Sequence, residues 1–296
     1  MIEEIREEWF LEMKRCRRRR RIAIGMICGI LLAAICGYNV LINQSFEITR
    51  YTCYSGRIKE PVQIALLADL HCREFGEGNS RLIKAIENER PDLILIAGDM
   101  ITYPNPDIHV ATDLCRALVS IAPVYYCYGN HEGMWMHNGV DEETIPIDQY
   151  IEETGAIFTP AAVVELQINE NRICIGGVPQ GLSGYEQWGK RRAENLERSE
   201  GFRILVSHHP DLYYEKLADV QAELAVAGHF HGGLIRVPGF GGLFHPDGGL
   251  FPKYDGGQYK LEHGELIVSR GLGNQKIIPR IFNQPELIMI SLNSSR

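Results

Sequence analysis

The residues that decide the fold lie at positions 62–71 and read Val-Gln-Ile-Ala-Leu-Leu-Ala-Asp-Leu-His. An apolar run that ends in polar residues is typical of a strand covered on both faces of a sheet. A second run of this kind, Leu93-Ile-Leu-Ile-Ala97, is followed by Gly98-Asp99. Both runs predict buried strands of an α/β fold whose carboxyl ends carry polar side chains.

Outward from these two runs, strand patterns alternate with helical ones, and no internal repeat is present. So many strands fit two packed sheets in one α/β domain better than a single flat sheet. The expected strands cover residues 62–68, 92–97, 124–128, 162–168, 172–177, 203–207, 223–227, 265–269 and 286–292, and the expected helices cover residues 80–89 and 108–121.

Five polar segments follow apolar runs along the chain. One Asp-x-His alone is usually a surface turn, but strand ends that meet at one sheet edge bring such segments together. Nitrogen and oxygen ligands without thiolates favour Mn, Fe, Zn or similar ions over a structural zinc, so the pattern predicts a two-metal hydrolase. The segments are Asp69-Leu-His71, Gly98-Asp99, Gly129-Asn130-His131-Glu132, His208-His209-Pro210 and Gly228-His229-Phe230-His231.

This set of segments resembles the calcineurin-like metallophosphoesterase superfamily. Three stretches resemble its membrane-anchored bacterial branch in particular: Gly228-His-Phe-His-Gly-Gly233, Phe251-Pro-Lys-Tyr254 and Ser269-Arg-Gly-Leu-Gly-Asn274. The resemblance extends over residues 61–296. It implies a two-sheet β-sandwich flanked by helices, with the site at one edge.

The resemblance also implies two divalent metal ions with Asp99 as their shared ligand. Two cations about 3.5 to 4 Å apart need a common anionic ligand. An Asp that follows a glycine can supply it, because the glycine allows close approach of the backbone. The terminal ligands would be Asp69, His71 and His231 for one ion and Asn130, His208 and His229 for the other.

In similar enzymes the histidine of Gly-Asn-His-Glu contacts the scissile phosphate, which makes His131 the expected catalytic residue. The implied reaction is hydrolysis of a phosphodiester, phosphomonoester or pyrophosphate by a metal-bridging hydroxide. Glu132 either orients His131 or is a structural residue. No Gly-x-Ser-x-Gly segment offers a serine nucleophile instead.

Some residues depart from the family pattern or fall outside it. Thr102 stands where many relatives carry an acidic residue, so a residue close to the expected ligands differs from the family pattern. His209 is expected to point away from the site, because the family pattern His-x-Pro aligns the first histidine. Three further histidines match no motif and are expected to be ordinary loop or core residues: His109, His137 and His263.

The N-terminal part has a different composition from the remainder. Residues 1–21 carry eight Lys or Arg against five Glu, and residues 22–42 contain no charged side chain. Twenty-one apolar residues span about 30 Å as a helix, the thickness of a bilayer core. We therefore expect a basic cytoplasmic segment (1–21), a transmembrane helix (22–42), a linker (43–60) and the metallophosphoesterase domain (61–296).

The five arginines at 17–21 predict an N-terminus in the cytoplasm and a catalytic domain on the outer side of the cell membrane. The alternatives are a cleaved signal peptide and a twin-arginine export signal. The apolar run is longer than a usual signal core, and the full twin-arginine motif is absent.

The net charge and the expected membrane anchor limit which molecules the protein can bind. Residues 43–296 have a net charge of −11, which argues against nucleic acid. A phosphoester substrate that is lipid-linked or nucleotide-linked suits a membrane-anchored enzyme, and the glycine-rich loop 237–258 is either an apolar substrate groove or a packed surface loop. Arg270 and His245 are candidates to contact a substrate phosphate.

The alternative function is a non-catalytic membrane-bound adaptor or binding module. The sequence does not determine the oligomeric state.

Overall fold

A computed structural model describes residues 1–104, 107–138, 146–159, 162–178, 188–244, 249–274 and 279–295. The chain divides into two compact units, Met1–Gln44 and Ser45–Arg296. The first unit is one long helix, α1 (Ile2–Asn43), which has the length and composition of a membrane span from Ile5 to Asn43.

The second unit contains two large sheets and a short hairpin. Its strands are β1 (Glu47–Ser55), β2 (Val62–Leu67), β3 (Leu93–Ala97), β4 (Val124–Cys127), β5 (Ile157–Phe158), β6 (Val164–Ile168), β7 (Asn171–Val178), β8 (Phe202–Ser207), β9 (Leu224–Ala227), β10 (Arg236–Val237), β11 (Gly241–Gly242), β12 (Gly257–Lys260), β13 (Glu265–Val268) and β14 (Glu286–Ser294). Its helices are α2 (Ser80–Glu89), α3 (Ile108–Val119), α4 (Asn130–Asn138), α5 (Ile147–Glu152), α6 (Lys190–Glu197) and α7 (Leu212–Glu215).

Within the described residues, each large sheet has six strands. The first has the order β1-β14-β2-β3-β4-β5, and the second has the order β12-β13-β9-β8-β7-β6. Strands β2, β3, β4 and β5 pair in parallel, as do β7, β8, β9 and β13. The predicted α/β fold with two sheets is confirmed.

The apolar runs bury both faces of the first sheet because successive side chains of a strand point to opposite sides. In β2, Ala65 and Leu67 join the core that includes residues of α2 and α3. Ile64 and Leu66 join the core between the sheets, where they share a cluster with residues of β8 and β9. This two-sided packing holds the carboxyl ends of the strands in fixed positions.

Part of the predicted linker is folded. Residues Glu47–Ser55 form β1, which pairs in parallel with the C-terminal strand β14. The segment is rich in Thr, Tyr and Ile, residues that favour strands. β1 lies at the edge of the sheet, and most of its residues are half-exposed or exposed, so its sequence has no continuous apolar run. For this reason the sequence pattern does not predict this strand.

Candidate metal centre

The first loop of the site follows β2. Asp69 is fully buried, and its N–H donates to the carbonyl of Gly98 in the loop after β3 at 2.9 Å. Its two carboxylate oxygens accept the backbone N–H of His229 at 3.0 and 3.1 Å. Asp69 therefore links the loops after β2, β3 and β9 at one edge of the sandwich.

Glycines allow the loops after β3 and β4 to approach each other. Gly98 has a φ of +85°, and a Cβ there would lie 2.5 Å from the backbone nitrogen of Gly129. A Cβ on Gly129 would lie 2.2 Å from Asp99 Oδ1. Only hydrogen fits at either position, so both glycines are required for the observed placement of Asp99.

Asp99 lies at the centre of the predicted residues. Its Oδ2 is 3.0 Å from His208 Nε2, and it is 4.0 Å from both His71 Nε2 and His131 Nε2. Its Oδ1 accepts the backbone N–H of His131 at 2.9 Å. One oxygen of this carboxylate thus faces histidines from three different loops.

Asp69, His71 and His231 form one group of potential ligand atoms, all within 4.8 Å of one another. His71 Nε2 and His231 Nε2 are 3.1 Å apart, and His231 Nε2 is 3.9 Å from Asp69 Oδ1. Thr102 Oγ1 lies 3.3 Å from His71 Nδ1. Thr102 therefore occupies a position from which it orients this imidazole, although it is not acidic.

Asn130 and His208 lie on the other side of Asp99. His208 Nδ1 donates to the carbonyl of Ala97 at 2.6 Å, which leaves Nε2 directed at Asn130 Oδ1, 3.1 Å away. His229 is 5% exposed, and its ring nitrogen lies within 4.8 Å of a ring nitrogen of His208.

His209 does not point away, in contrast to the expectation from the sequence. It is buried, and one of its ring nitrogens belongs to the same 4.8 Å group as those of His208 and His229. The turns after β8 and β9 bring the His209 and His229 rings together, with their centroids 3.9 Å apart and their planes tilted by 39°. His109, His137 and His263 are exposed and fall outside the metal-ligand groups found among the described residues.

His131 has a defined tautomer. The backbone N–H of Tyr103 donates to His131 Nδ1 at 2.9 Å. An Nδ1 that accepts a hydrogen bond places the proton of the neutral ring on Nε2. The Nε2 atom faces Asp99, so His131 presents a hydrogen-bond donor to the site.

Glu132 holds the loop of Asp99 and does not contact the ring of His131. Its carboxylate is fully buried and accepts the backbone N–H of Asp99 at 2.9 Å, of Met100 at 2.8 Å and of Gly129 at 2.9 Å. Tyr126 Oη donates to it at 2.7 Å. Of the two interpretations of Glu132, the structure supports a structural one, with Asp99 as the residue that it positions.

Burial and mutual charge shift the pKa values of the site. Burial raises the pKa of Asp69 to about 7, even though His208 acts against this. Burial alone would raise the pKa of Asp99, but the charge and hydrogen bond of His208 hold it well below its usual range. Burial lowers the pKa of His71 to about 3, so this imidazole is neutral at physiological pH.

The neutral imidazole of His71 and the ionised carboxylate of Asp99 are the forms in which these groups bind cations. Burial alone would lower the pKa of His208, but the charge of Asp99 and its hydrogen bond raise this pKa to about 10, so a cation bound at His208 Nε2 replaces the proton there. His71 Nε2 and His231 Nε2 lie 3.1 Å apart in a buried region, so both ring nitrogens are placed to bind one cation. The donor set of carboxylate, imidazole and amide oxygen fits divalent metals of the Mn, Fe or Zn type.

The loop after β13 supports His231. Asn283 is fully buried, and its amide donates to the carbonyls of His231 at 2.7 Å and Leu234 at 3.1 Å. Arg270, which the sequence offered as a phosphate contact, pairs with Glu286 at 2.9 Å and with Glu47. Its guanidinium therefore braces the loop, and His245 lies outside the described residues.

Comparison with known proteins agrees with this geometry. The sequence profile of the calcineurin-like phosphoesterases matches residues 62–233, which is more than half of the chain. The chain belongs to the calcineurin-like phosphoesterase family. Members of this family are hydrolases that typically bind divalent metals, and the His and Asp groups described above fit that property.

Two similar proteins come from bacteria. The uncharacterized metallophosphoesterase YkuE of Bacillus subtilis strain 168 is 27% identical over 96% of this chain and 100% of its own length. The phosphodiesterase YaeI of Escherichia coli K12 is 26% identical over 78% of this chain and 82% of its own. Among solved structures, phosphopantetheinyl hydrolase from Mycobacterium tuberculosis has 16% identity and a TM-score of 0.45, covering 70% of this chain and 88% of that protein.

Proposed function

We propose that this chain hydrolyses phosphodiesters at a dinuclear metal centre in which Asp99 is shared by both ions. The observation that carries the proposal is the position of Asp99 Oδ2. This atom lies 3.0 Å from His208 and 4.0 Å from His71, and these histidines belong to different groups of ligand atoms. A shared carboxylate oxygen between two sets of nitrogen ligands is what a pair of metals requires.

Each ion would have its own terminal ligands, as predicted from the sequence. When bound, the two ions would activate water and neutralise charge on the phosphoryl oxygens. The ligands would be Asp69, His71 and His231 for one ion and Asn130, His208 and His229 for the other.

His131 is the proposed catalytic residue. Its proton on Nε2, fixed by the Tyr103 N–H at Nδ1, is available to the phosphoryl group or to the leaving oxygen. The ring is 3% exposed, and a hydrogen bond to developing charge is strong where water is excluded. The backbone N–H of His131 is bonded to Asp99, which keeps the ring at a constant position relative to the proposed bridging ligand.

A diester substrate is favoured over a monoester by the similarity to the phosphodiesterase YaeI, which extends over 78% of this chain. Whether the substrate is lipid-linked or nucleotide-linked stays a prediction from the sequence. The rival function, a non-catalytic adaptor or binding module, is disfavoured because all seven proposed ligands and His131 are retained and lie at one edge of the fold.

We also propose that α1 crosses the cell membrane, with the N-terminus in the cytoplasm and the second unit outside. The exposed apolar side chains of residues 22–42 and the five arginines before them support this orientation. Protease treatment of intact cells tests it. Cleavage of the second unit from outside is expected, and full protection in intact cells with cleavage after lysis would contradict the orientation.

The catalytic proposal is tested with the full chain in detergent and bis(p-nitrophenyl) phosphate as substrate. Activity should require added Mn²⁺ or Zn²⁺ and should be lost in Asp99→Asn. Asp113→Asn is the matched control, because Asp113 is 62% exposed and pairs only at the surface with Arg116. Equal rates for Asp99→Asn and the parent protein would disprove the mechanism.

A further inference from the structure

Exposed apolar side chains of the second unit are concentrated in one region. Five of these side chains are Phe240 (83% exposed), Leu250 (63%), Phe251 (62%), Phe282 (41%) and Val237 (37%). We call these five residues the apolar patch. In the described part of this unit, the other large hydrophobic side chains with comparable exposure are Tyr54, Trp188 and Tyr214.

Backbone hydrogen bonds connect the members of the apolar patch. Phe240 lies at the turn between β10 and β11, where its N–H donates to the carbonyl of Val237 at 2.9 Å. The N–H of Phe251 donates to Leu243, which follows β11, at 3.1 Å. The N–H of Arg236 in β10 donates to Ile281, the residue before Phe282, at 2.9 Å. The backbone segments that carry the patch are thus neighbours in the fold.

The same surface adjoins the start of the second unit. Gln284, two residues after Phe282, donates from Nε2 to Ser45 Oγ at 3.1 Å. The N–H of Glu47 donates to the carbonyl of Pro285 at 2.9 Å. Phe240 follows Arg236 by four residues, a reach of roughly 13 Å at most. The segment of Phe282, and with it the paired backbone of β10, therefore lies at the end of the second unit that holds its first residues.

Sequence distance places those first residues close to the bilayer. Ser45 follows Ile42, the last apolar residue of the proposed membrane span, by three residues. Three extended residues reach about 10 Å. In a membrane-inserted chain, Ser45 and the residues bonded to it would consequently lie close to the membrane surface.

We propose that the apolar patch is a second contact with the lipid bilayer that holds α1. The inference rests on the proposed membrane span. Phenylalanine and leucine side chains at a hairpin tip insert at the boundary between head groups and acyl chains. The exposed Lys253, two residues after Phe251, is suited to the lipid phosphates beside it.

The exposed fractions of the patch side chains favour contact with a bilayer over a role in a substrate groove. A residue that lines a groove packs against the protein on one side and faces the opposite wall of the groove on the other. Phe240, at 83% exposed, has almost its whole ring outside the protein surface. Such a side chain fits a fluid apolar phase better than the wall of a groove.

The test places a tryptophan in the apolar patch of the full chain, reconstituted in phosphatidylcholine and phosphatidylglycerol vesicles with or without brominated acyl chains. Phe240→Trp is compared with Tyr54→Trp, and the parent signal is subtracted. Tyr54 is 69% exposed and lies seven residues along β1 from Glu47, about 23 Å away for an extended strand. Phe251→Trp repeats the test at a second position of the patch.

We expect the bromolipid to quench the added fluorescence of Phe240→Trp about twofold or more relative to Tyr54→Trp, because only the patch reaches the acyl chains. Equal quenching in vesicles that retain the chain after an alkaline wash would overturn the inference alone. Loss of the chain in that wash would contradict the proposed span and the inference with it. If Phe240→Ser raised the KM for a lipid-linked phosphodiester without selective quenching, the patch would bind substrate instead, and the inference would be wrong.

Discussion

Glu132 accepts the backbone N–H of Asp99 at 2.9 Å, across 33 residues of sequence. The same carboxylate accepts the N–H groups of Met100 and Gly129. The loops after β3 and β4 are thereby held together by one fully buried side chain. The position of the proposed bridging ligand depends on a residue that is not itself one of the proposed ligands.

Glu132→Gln should destabilise the protein and weaken metal binding. An amide NH₂ group would face backbone N–H donors, so at least one buried hydrogen bond is lost and donors are left unsatisfied, at a cost of about 1 to 3 kcal/mol. Thermal unfolding of the full chain in detergent measures the effect. Glu87→Gln, on the exposed side of α2, is the control and should leave the Tm unchanged. An unchanged Tm and metal affinity in Glu132→Gln would refute the proposed role.

Gly129→Ala should remove metal binding while most of the fold is kept. The added Cβ would lie 2.2 Å from Asp99 Oδ1, so the carboxylate must move. Overpacking of this kind costs about 1 to 3 kcal/mol. Gly56→Ala is the matched control, because its Cβ would meet Ser295 at an ordinary 3.6 Å. Circular dichroism measures whether the fold is kept, and metal analysis measures whether the site still binds metal. Full metal content in Gly129→Ala would show that metal binding does not depend on the observed position of Asp99.

His131→Gln should lower kcat by about 10² to 10⁴-fold, the range for loss of a general acid. Metal content should remain, because His131 is not a proposed ligand. His137→Gln, which changes an exposed histidine of the same helix, serves as control. The measurement is steady-state hydrolysis of an aryl phosphodiester beside metal analysis. Loss of metal in parallel with activity would make His131 a ligand and contradict the assigned role.

Two buried thiols should resist alkylation. Burial raises the pKa of Cys115 and Cys127 to about 12 in both cases. At pH 8 a thiol of that pKa is about one part in 10⁴ thiolate, and this fraction rises tenfold for each pH unit up to the pKa. Mass spectrometry after iodoacetamide treatment should find both residues unmodified in the folded chain and modified in urea. Equal labelling rates in the two states would show that these cysteines are not buried as described.

The sequence predicted the elements that carry the site because their signal is local. The runs at 64–68 and 93–97 are buried on both faces, so every residue in them is apolar, and Asp69 and Asp99 mark the ends of these strands. The observed strands end within two residues of the predicted positions. The eight predicted site residues lie at one edge of the fold, and their roles as ligands and catalyst stay proposals.

Interactions between a side chain and a distant backbone could not be predicted. The partners of Glu132 are N–H groups that every residue possesses, so no residue type signals the contact. The burial of His209 depends on the turn after β9, which brings His229 against it. Strand β1 depends on pairing with β14, more than 230 residues later, and an edge strand of this kind has no continuous apolar pattern.

The number of metal ions bound per chain tests the central claim most directly. The full chain, loaded with Mn²⁺ or Zn²⁺, freed of excess metal and analysed by plasma mass spectrometry, should contain two ions, and Asp99→Asn should contain one or none because the shared carboxylate is lost. A parent protein that retains one ion or none under these conditions, or an Asp99→Asn variant that retains both, would contradict a dinuclear centre bridged by Asp99.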